Sequence, residues 1–228
     1  MSELIAKERD VVIPGEIIAK GMDYLPGINA SRQGENIIAN RTGLVEINGR
    51  VIKIIPLSGR YMPKEKDRVI GKIIDINLGG WRLDINSAYT AMLSMKEATS
   101  DFITKGADLT QYFDIGDYVI TRITQVTSQK LVDVSMKGPG LGKLKNGRIL
   151  SIKPNKVPRV IGKQGSMVNL IKEKTNCKIV VGQNGLVWIQ GSPKDELKAV
   201  ETIRMIEEKA HIPGLTDKIK EFLETNKQ

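Results

Sequence analysis

The chain of 228 residues contains one cysteine and one histidine. Cys177 alone cannot close an internal disulfide, which fits a reducing compartment. One cysteine and one histidine also exclude the usual Cys/His zinc sites. His211 follows a helical segment near the C-terminus and reads as a helix-end residue rather than a base. No tight Asp/Glu cluster suggests two-metal chemistry. The residues therefore offer no active site, no metal site and no cofactor. No apolar run reaches the roughly 18 residues of a membrane helix. The opening stretch MSELIAKERDVVIPGE has neither an apolar core nor a small-residue cleavage site, so the expected location is cytoplasmic, with no membrane partner. Aromatic residues make up only 4% of the chain. Apolar residues make up 40%, enough for buried cores and for one large domain or two to three small ones.

Acidic residues are missing from one place in particular. The formal net charge is +9, and residues 138–228 carry 17 Lys/Arg against 9 Asp/Glu. Residues 1–63 carry 8 against 7 and residues 64–137 carry 10 against 10. Within 143–163 seven basic residues (Lys143, Lys145, Arg148, Lys153, Lys156, Arg159 and Lys163) occur with no acid between them. A patch of this kind attracts polyanions through counterion release, with a strongly salt-dependent affinity.

Three segments are expected. Residues 1–63 form a β-rich domain of short strands, with Asn48-Gly49 as a hairpin turn and Tyr61-Met62-Pro63-Lys64 as the boundary. Residues 64–137 hold five short strands, RVIGKIIDIN, GGWRLDI, YTAMLSM, GDYVITRITQVT and LVDVSMKG. A helical or irregular insertion around DLTQYF separates the third from the fourth, which is the plan of an OB barrel. Residues 138–228 start with GPGLGKLKNG. Leucine follows Gly142-Lys143 where a phosphate-binding loop needs Ser or Thr, so this stretch is expected to be a flexible linker. The order after it is β-α-α-β-β-α plus a tail helix.

Two Gly-x-x-Gly sequences occur in this last segment. Gly182-Gln183-Asn184-Gly185 lies between strands and is expected to be a structural hairpin turn. Gly162-Lys163-Gln164-Gly165 lies between helices, with Ser166 as the expected N-cap of the second. Two glycines there allow a nucleic-acid backbone to approach, and the helix start favours phosphate. Lys163, Arg159, Lys156 and Lys153 would supply cations. In the middle segment stand six of the ten aromatics, Trp81, Tyr89, Phe102, Tyr112, Phe113 and Tyr118. Single strands stack bases on aromatics in basic grooves. Trp81 and Tyr89 are the candidates for stacking, Lys72, Arg82 and Arg122 for phosphate. Phe102, Tyr112 and Phe113 are expected to pack.

On these residues the middle segment resembles an S1 RNA-binding domain. The likeness rests on Asp67-Arg68-Val69-Ile70-Gly71-Lys72-Ile73, Gly80-Trp81-Arg82-Leu83-Asp84-Ile85 and Ile115-Gly116-Asp117-Tyr118-Val119. It departs from the pattern at Met92-Leu93-Ser94-Met95, where such domains often carry a histidine. The last segment resembles a type I KH domain. The arrangement of a β-rich piece containing VVIPGE, then S1, then KH resembles the RNA-binding cap subunit of the exosome, most like its archaeal form. Gly182-Gln183-Asn184-Gly185 matches a Gly-x-Asn-Gly feature of those KH domains. The resemblance implies a mixed three-domain fold: a β-rich N-terminal domain, an OB-fold β-barrel and an α+β KH domain. It also implies a non-catalytic subunit, three copies of which sit on a hexameric ring of RNase-PH-like subunits. The implied ligand is single-stranded RNA, poly(A)-like or A-rich strands included. An S1/KH transcription or translation factor is the alternative within RNA binding. A nuclease or polynucleotide phosphorylase fragment is the alternative from the enzyme class.

Overall fold

The computed structural model describes residues 2–104, 106–210, 212 and 214–225. His211 lies outside the described residues. The chain divides into two compact units, residues 1–59 and 60–228.

The first unit is all β. Its strands are β1 (Glu3–Leu4), β2 (Val11–Val12), β3 (Ile17–Lys20), β4 (Leu25–Pro26), β5 (Ala30–Gln33), β6 (Asn36–Ala39), β7 (Gly43–Asn48) and β8 (Val51–Pro56). They form two four-stranded sheets, in the orders β1-β3-β6-β5 and β2-β7-β8-β4. Alternation decides which faces are buried: in β8, Ile52 and Ile54 enter the core while Ile55 stays exposed. Val12, Ile18, Ile37 and Val45 complete that core. Asn48 pairs with Val51, so the hairpin turns on Gly49-Arg50, one position later than the sequence suggests.

The second unit begins with the barrel: β9 (Arg68–Asn77), β10 (Gly80–Asp84), β11 (Thr90–Ser94), β12 (Tyr118–Val126) and β13 (Val132–Ser135). Antiparallel pairs β9–β10, β10–β11, β9–β12 and β12–β13, with the parallel pair β11–β13, close it. Inward positions such as Val69, Ile73, Leu83, Leu93, Val119 and Ile123 fill its interior. A short helix, α1 (Met95–Ala98), and a 3-10 turn at Leu109–Gln111 stand between the third and fourth strands. Leu109 and Phe113 join the barrel core.

The stretch expected as a flexible linker is ordered. It forms β14 (Gly142–Leu144), antiparallel to Tyr118–Ile120 of β12. The reason is that β12 offers a free edge beyond its pairing with β9, and backbone groups there require partners. Lys143 adds an ion pair with Asp117.

Next come β15 (Arg148–Ser151), a 3-10 turn at Pro154–Lys156, α2 (Val157–Ile161), a 3-10 turn at Lys163–Gly165, α3 (Ser166–Thr175), β16 (Lys178–Val181), β17 (Leu186–Gln190), α4 (Pro193–Glu208) and α5 (Leu215–Thr225). The sheet order is β15-β17-β16, all antiparallel. Helices α2, α3 and α4 bury Val160, Ile171 and Ile203 in its core, and α5 adds Leu215, Ile219 and Leu223. Ser192 caps α4 by accepting from the Asp195 amide at 3.3 Å, with Pro193 opening the helix.

Barrel and KH fold share one joint. Strand β10 stops at Asp84, opposite Lys72, so the stretch of β9 before it lacks a strand on that side. The turn between β16 and β17 fills this gap. The Gln183 amide donates to the Arg68 carbonyl at 2.8 Å. Asn184, wholly buried, accepts from the Ile70 amide at 3.3 Å and donates to the carbonyls of Ile70 at 2.7 Å and Ile85 at 2.8 Å. Asn86 donates back to the Asn184 carbonyl at 3.0 Å. A Cβ on Gly182 would sit 2.3 Å from the Asn184 Oδ1 and 2.9 Å from the Ile70 nitrogen. The second Gly-x-x-Gly is thus a hairpin turn, as expected, and also the bond between domains. Ile70, Ile120 and Trp188 make an apolar contact beside it.

Candidate nucleic-acid interface

The loop of residues 162–165 joins α2 to α3, and its shape explains its glycines. Gly162 has φ 77° and ψ 173°, and a Cβ there would lie 2.6 Å from the Met167 nitrogen. It is therefore needed for the helix crossing itself. Gly165, at φ 82°, has nothing closer to its Cβ position than Asn169 Nδ2 at 3.7 Å. Space is open there, and only the left-handed backbone asks for glycine. Gln164 also has positive φ, at 54°. Lys163 and Gln164 are both exposed.

Ser166, expected as the N-cap of the second helix, is instead its first residue, and no side chain caps α3. Gly165 occupies the cap position because the loop turns left-handed one residue earlier. The start of a ten-residue helix thus has no side-chain cap and no acid in its first turn, beside an exposed lysine. That arrangement favours an anion.

Beside the loop runs a groove of about 360 Å³. Ile161, Val168, Ile179 and Val181 give it apolar walls, and Lys172 and Gln183 add polar groups. Lys66, Asp67 and Arg68 of the barrel line it as well. Apolar walls suit base faces, and cations suit phosphates. Asp67 accepts from the Tyr61 hydroxyl at 2.6 Å. Burial first, then this bond and the Asp67 charge, push the Tyr61 phenol well above its ordinary value, so it stays the donor.

None of the groove residues was among the sequence candidates. Val168 carried a signal, since it lies off the Met167/Ile171 face that α3 buries. Lys66 and Arg68 carried none, because they come from another domain.

The sequence candidates separate into two groups. Lys153, Lys156, Arg159 and Lys163 lead into the loop, on the 3-10 turn, α2 and the loop itself. Arg159 donates to the Ile212 carbonyl at 3.3 Å, and the Lys153 amide donates to Glu207 at 2.8 Å. On the barrel, Lys72 stands in register with Asp84 and lies 5.9 Å from the Tyr118 ring centroid. Arg82 pairs with Asp75 at 3.7 Å. Arg122 stands directly opposite Arg68.

Trp81 must be corrected. It is fully buried, donates to the Phe113 carbonyl at 2.9 Å and meets the Phe113 ring edge-on, with centroids 5.2 Å apart. No base can stack on it while the barrel is closed. Its strand position dictates this, because Trp81 shares the inward parity of Leu83. Tyr89 is half-buried against the same core. Phe102, expected to pack, is 87% exposed in the segment after α1, and Tyr112 is also exposed. Only Phe113 of the three is buried. Among the described residues no group of His, Cys, Asp or Glu could hold a metal ion, and no helix is long and apolar enough to cross a membrane.

A closed five-stranded barrel, a KH fold bonded to it, and a glycine loop beside an apolar groove define a nucleic-acid-binding protein of the S1/KH class. The KH-domain family profile matches residues 147–205. The chain is 44% identical over 221 residues to the exosome complex component Rrp4 of Methanothermobacter thermautotrophicus, across 97% of this chain and 70% of that protein. It is 42% identical to the Rrp4 of Methanothermus fervidus, across 96% of this chain and 97% of that protein. A crystal structure assigned as an exosome complex RNA-binding protein matches with a TM-score of 0.67 and 35% identity, covering 73% of this chain and 97% of that one. The chain belongs to the archaeal Rrp4 family of exosome complex components. As a member it is an RNA-binding protein and not an enzyme.

Proposed function

We propose that this chain is the cap subunit of an exosome, recruiting single-stranded RNA and threading it toward a ring that degrades or tails it from the 3′ end. Three copies sit on a hexamer of RNase-PH-like subunits in the cytoplasm. Residues 1–63 dock on the ring, while residues 64–137 and 138–228 surround its entrance. A-rich strands are among the ligands. Exposed apolar side chains on the first unit, including Val11, Ile13, Met22 and Ile28, support a docking role.

The observation that carries the reading is the open, uncapped loop of residues 162–165 with Lys163 and Gln164 exposed beside an apolar groove. Two experiments test it. In a mobility shift with labelled poly(A), phosphate and Mg²⁺, the pure chain should bind without cleaving; cleavage by the chain alone overturns the reading. The variant Lys163→Asp/Gln164→Asp replaces one exposed cation and adds two negative charges. It keeps both glycines, and Asp tolerates the left-handed backbone of position 164. Binding should be lost with circular dichroism unchanged. Co-purification with ring subunits tests the assembly.

A further inference from the structure

The groove beside the glycine loop has a second wall, which the KH fold does not make. Lys66, Asp67 and Arg68 belong to the barrel and line it opposite Ile161, Val168 and Lys172. Two features mark this wall as more than packing. Arg68 and Arg122 stand directly opposite each other on β9 and β12, and both are exposed. Like charges at such a position destabilise a sheet unless an anion sits between them. Among the described residues neither has an ion-pair partner, and Arg68 spends one donor on the Pro139 carbonyl at 2.6 Å.

The nearby carboxylates are committed elsewhere. Asp67 accepts from Tyr61 at 2.6 Å, and Glu65 accepts from the Val126 amide at 3.5 Å. Lys66 adds a further cation on a left-handed backbone, φ 71°, where Asn or Gly would be the ordinary choice.

We infer that Lys66, Arg68 and Arg122 form the barrel-side continuation of the KH groove, receiving the phosphates of the RNA segment that runs beyond the glycine loop. The inference rests on the groove being the RNA site. The ligand class is single-stranded RNA longer than the about four nucleotides that a KH fold clamps. The Gln183 and Asn184 bonds to β9 fix this wall against the groove, so the path is continuous rather than assembled on binding.

The test uses the full chain with fluorescent A4 and A8 oligonucleotides and the double variant Lys66→Asn/Arg122→Gln. Asn suits the backbone of position 66, and removing Arg122 relieves its repulsion with Arg68. A8 binding should weaken about tenfold and its logarithmic salt slope should fall by about 1.4, at about 0.7 for each phosphate no longer neutralised. A4 affinity should fall by less than A8 affinity, because the glycine loop stays intact, and the melting temperature should hold or rise. A fall in melting temperature alongside affinity assigns these residues a structural role and overturns the inference. Unchanged A8 affinity and slope, while Lys163→Asp/Gln164→Asp still abolishes binding, overturns the inference and leaves the cap reading standing. No effect from either variant overturns both.

Discussion

Replacing Asn184 by alanine should destabilise two domains at once. The side chain is wholly buried and supplies three hydrogen bonds to barrel backbone, from Ile70 N–H and to Ile70 C=O and Ile85 C=O. Alanine leaves all three groups dry, since β10 ends before it can serve this part of β9. Each buried unsatisfied group costs roughly 1–3 kcal/mol. The Ile70 amide bond is long at 3.3 Å, so the low end suits it. With the two carbonyls at about 1–3 kcal/mol each, the total comes to about 3–7 kcal/mol. For a unit of this size that corresponds to a fall in melting temperature of roughly 6–28 °C, at about 2–4 °C per kcal/mol. Differential scanning calorimetry of the full chain is the assay, with Asn184→Asp as a companion. The aspartate loses both donors and sets a carboxylate against two carbonyls, so it should be worse than alanine. A loss for Asn184→Ala below about 0.5 kcal/mol, the level of an ordinary surface substitution, refutes the account and reduces the turn to a hairpin.

Trp81→Phe removes the bond to the Phe113 carbonyl and should cost about 1–3 kcal/mol of stability. RNA affinity well below the melting temperature should not change; a lost affinity at unchanged melting temperature would restore Trp81 as an RNA-stacking residue. Phe102→Ala should alter chemical-denaturation stability by less than about 0.5 kcal/mol, because the ring is exposed. Asp117 supplies a pH dependence. Burial opposes its ionisation, but the hydrogen bonds from Lys143 and the Asp114 amide and the charges of Lys143 and Lys145 outweigh burial and hold its pKa below the ordinary value. Its contribution is complete above the unfolded value of about 3.9 and is lost as pH falls through the lower folded value. The melting temperatures of wild type and Asp117→Asn should therefore differ at neutral pH and converge in acid. A gap that stays constant contradicts the assignment.

Much of this architecture could be read from local pattern. The barrel strands show alternation, the Ser192-Pro193 cap opens α4, and the glycine loop is flanked by two helical stretches. Even Trp81 was legible, since the run Trp81-Arg82-Leu83-Asp84 puts the indole on the side of Leu83. Its aromatic character drew attention away from its parity. What could not be read depends on residues far apart in the chain. Asn184 looks like any hairpin asparagine until Ile70, 114 positions away, is placed against it. Lys66 and Arg68 join a groove whose other wall lies roughly a hundred residues on, and neither carries a mark of that in its own neighbourhood. The connector misled for the opposite reason: its glycines and lysines describe a spacer, and a strand of three residues is too short to declare itself by alternation.

That short strand limits how the chain can be lengthened. β14 is held in register with β12 and β15 with β17, leaving only residues 145–147 between them. Gly147 presses against Trp188, where a Cβ would come within 2.2 Å of the indole nitrogen. Extra residues inserted there would have to bulge out or drag one pairing out of step. Insertions, tags and fusions belong at the exposed β12–β13 turn around Ser128-Gln129-Lys130 instead.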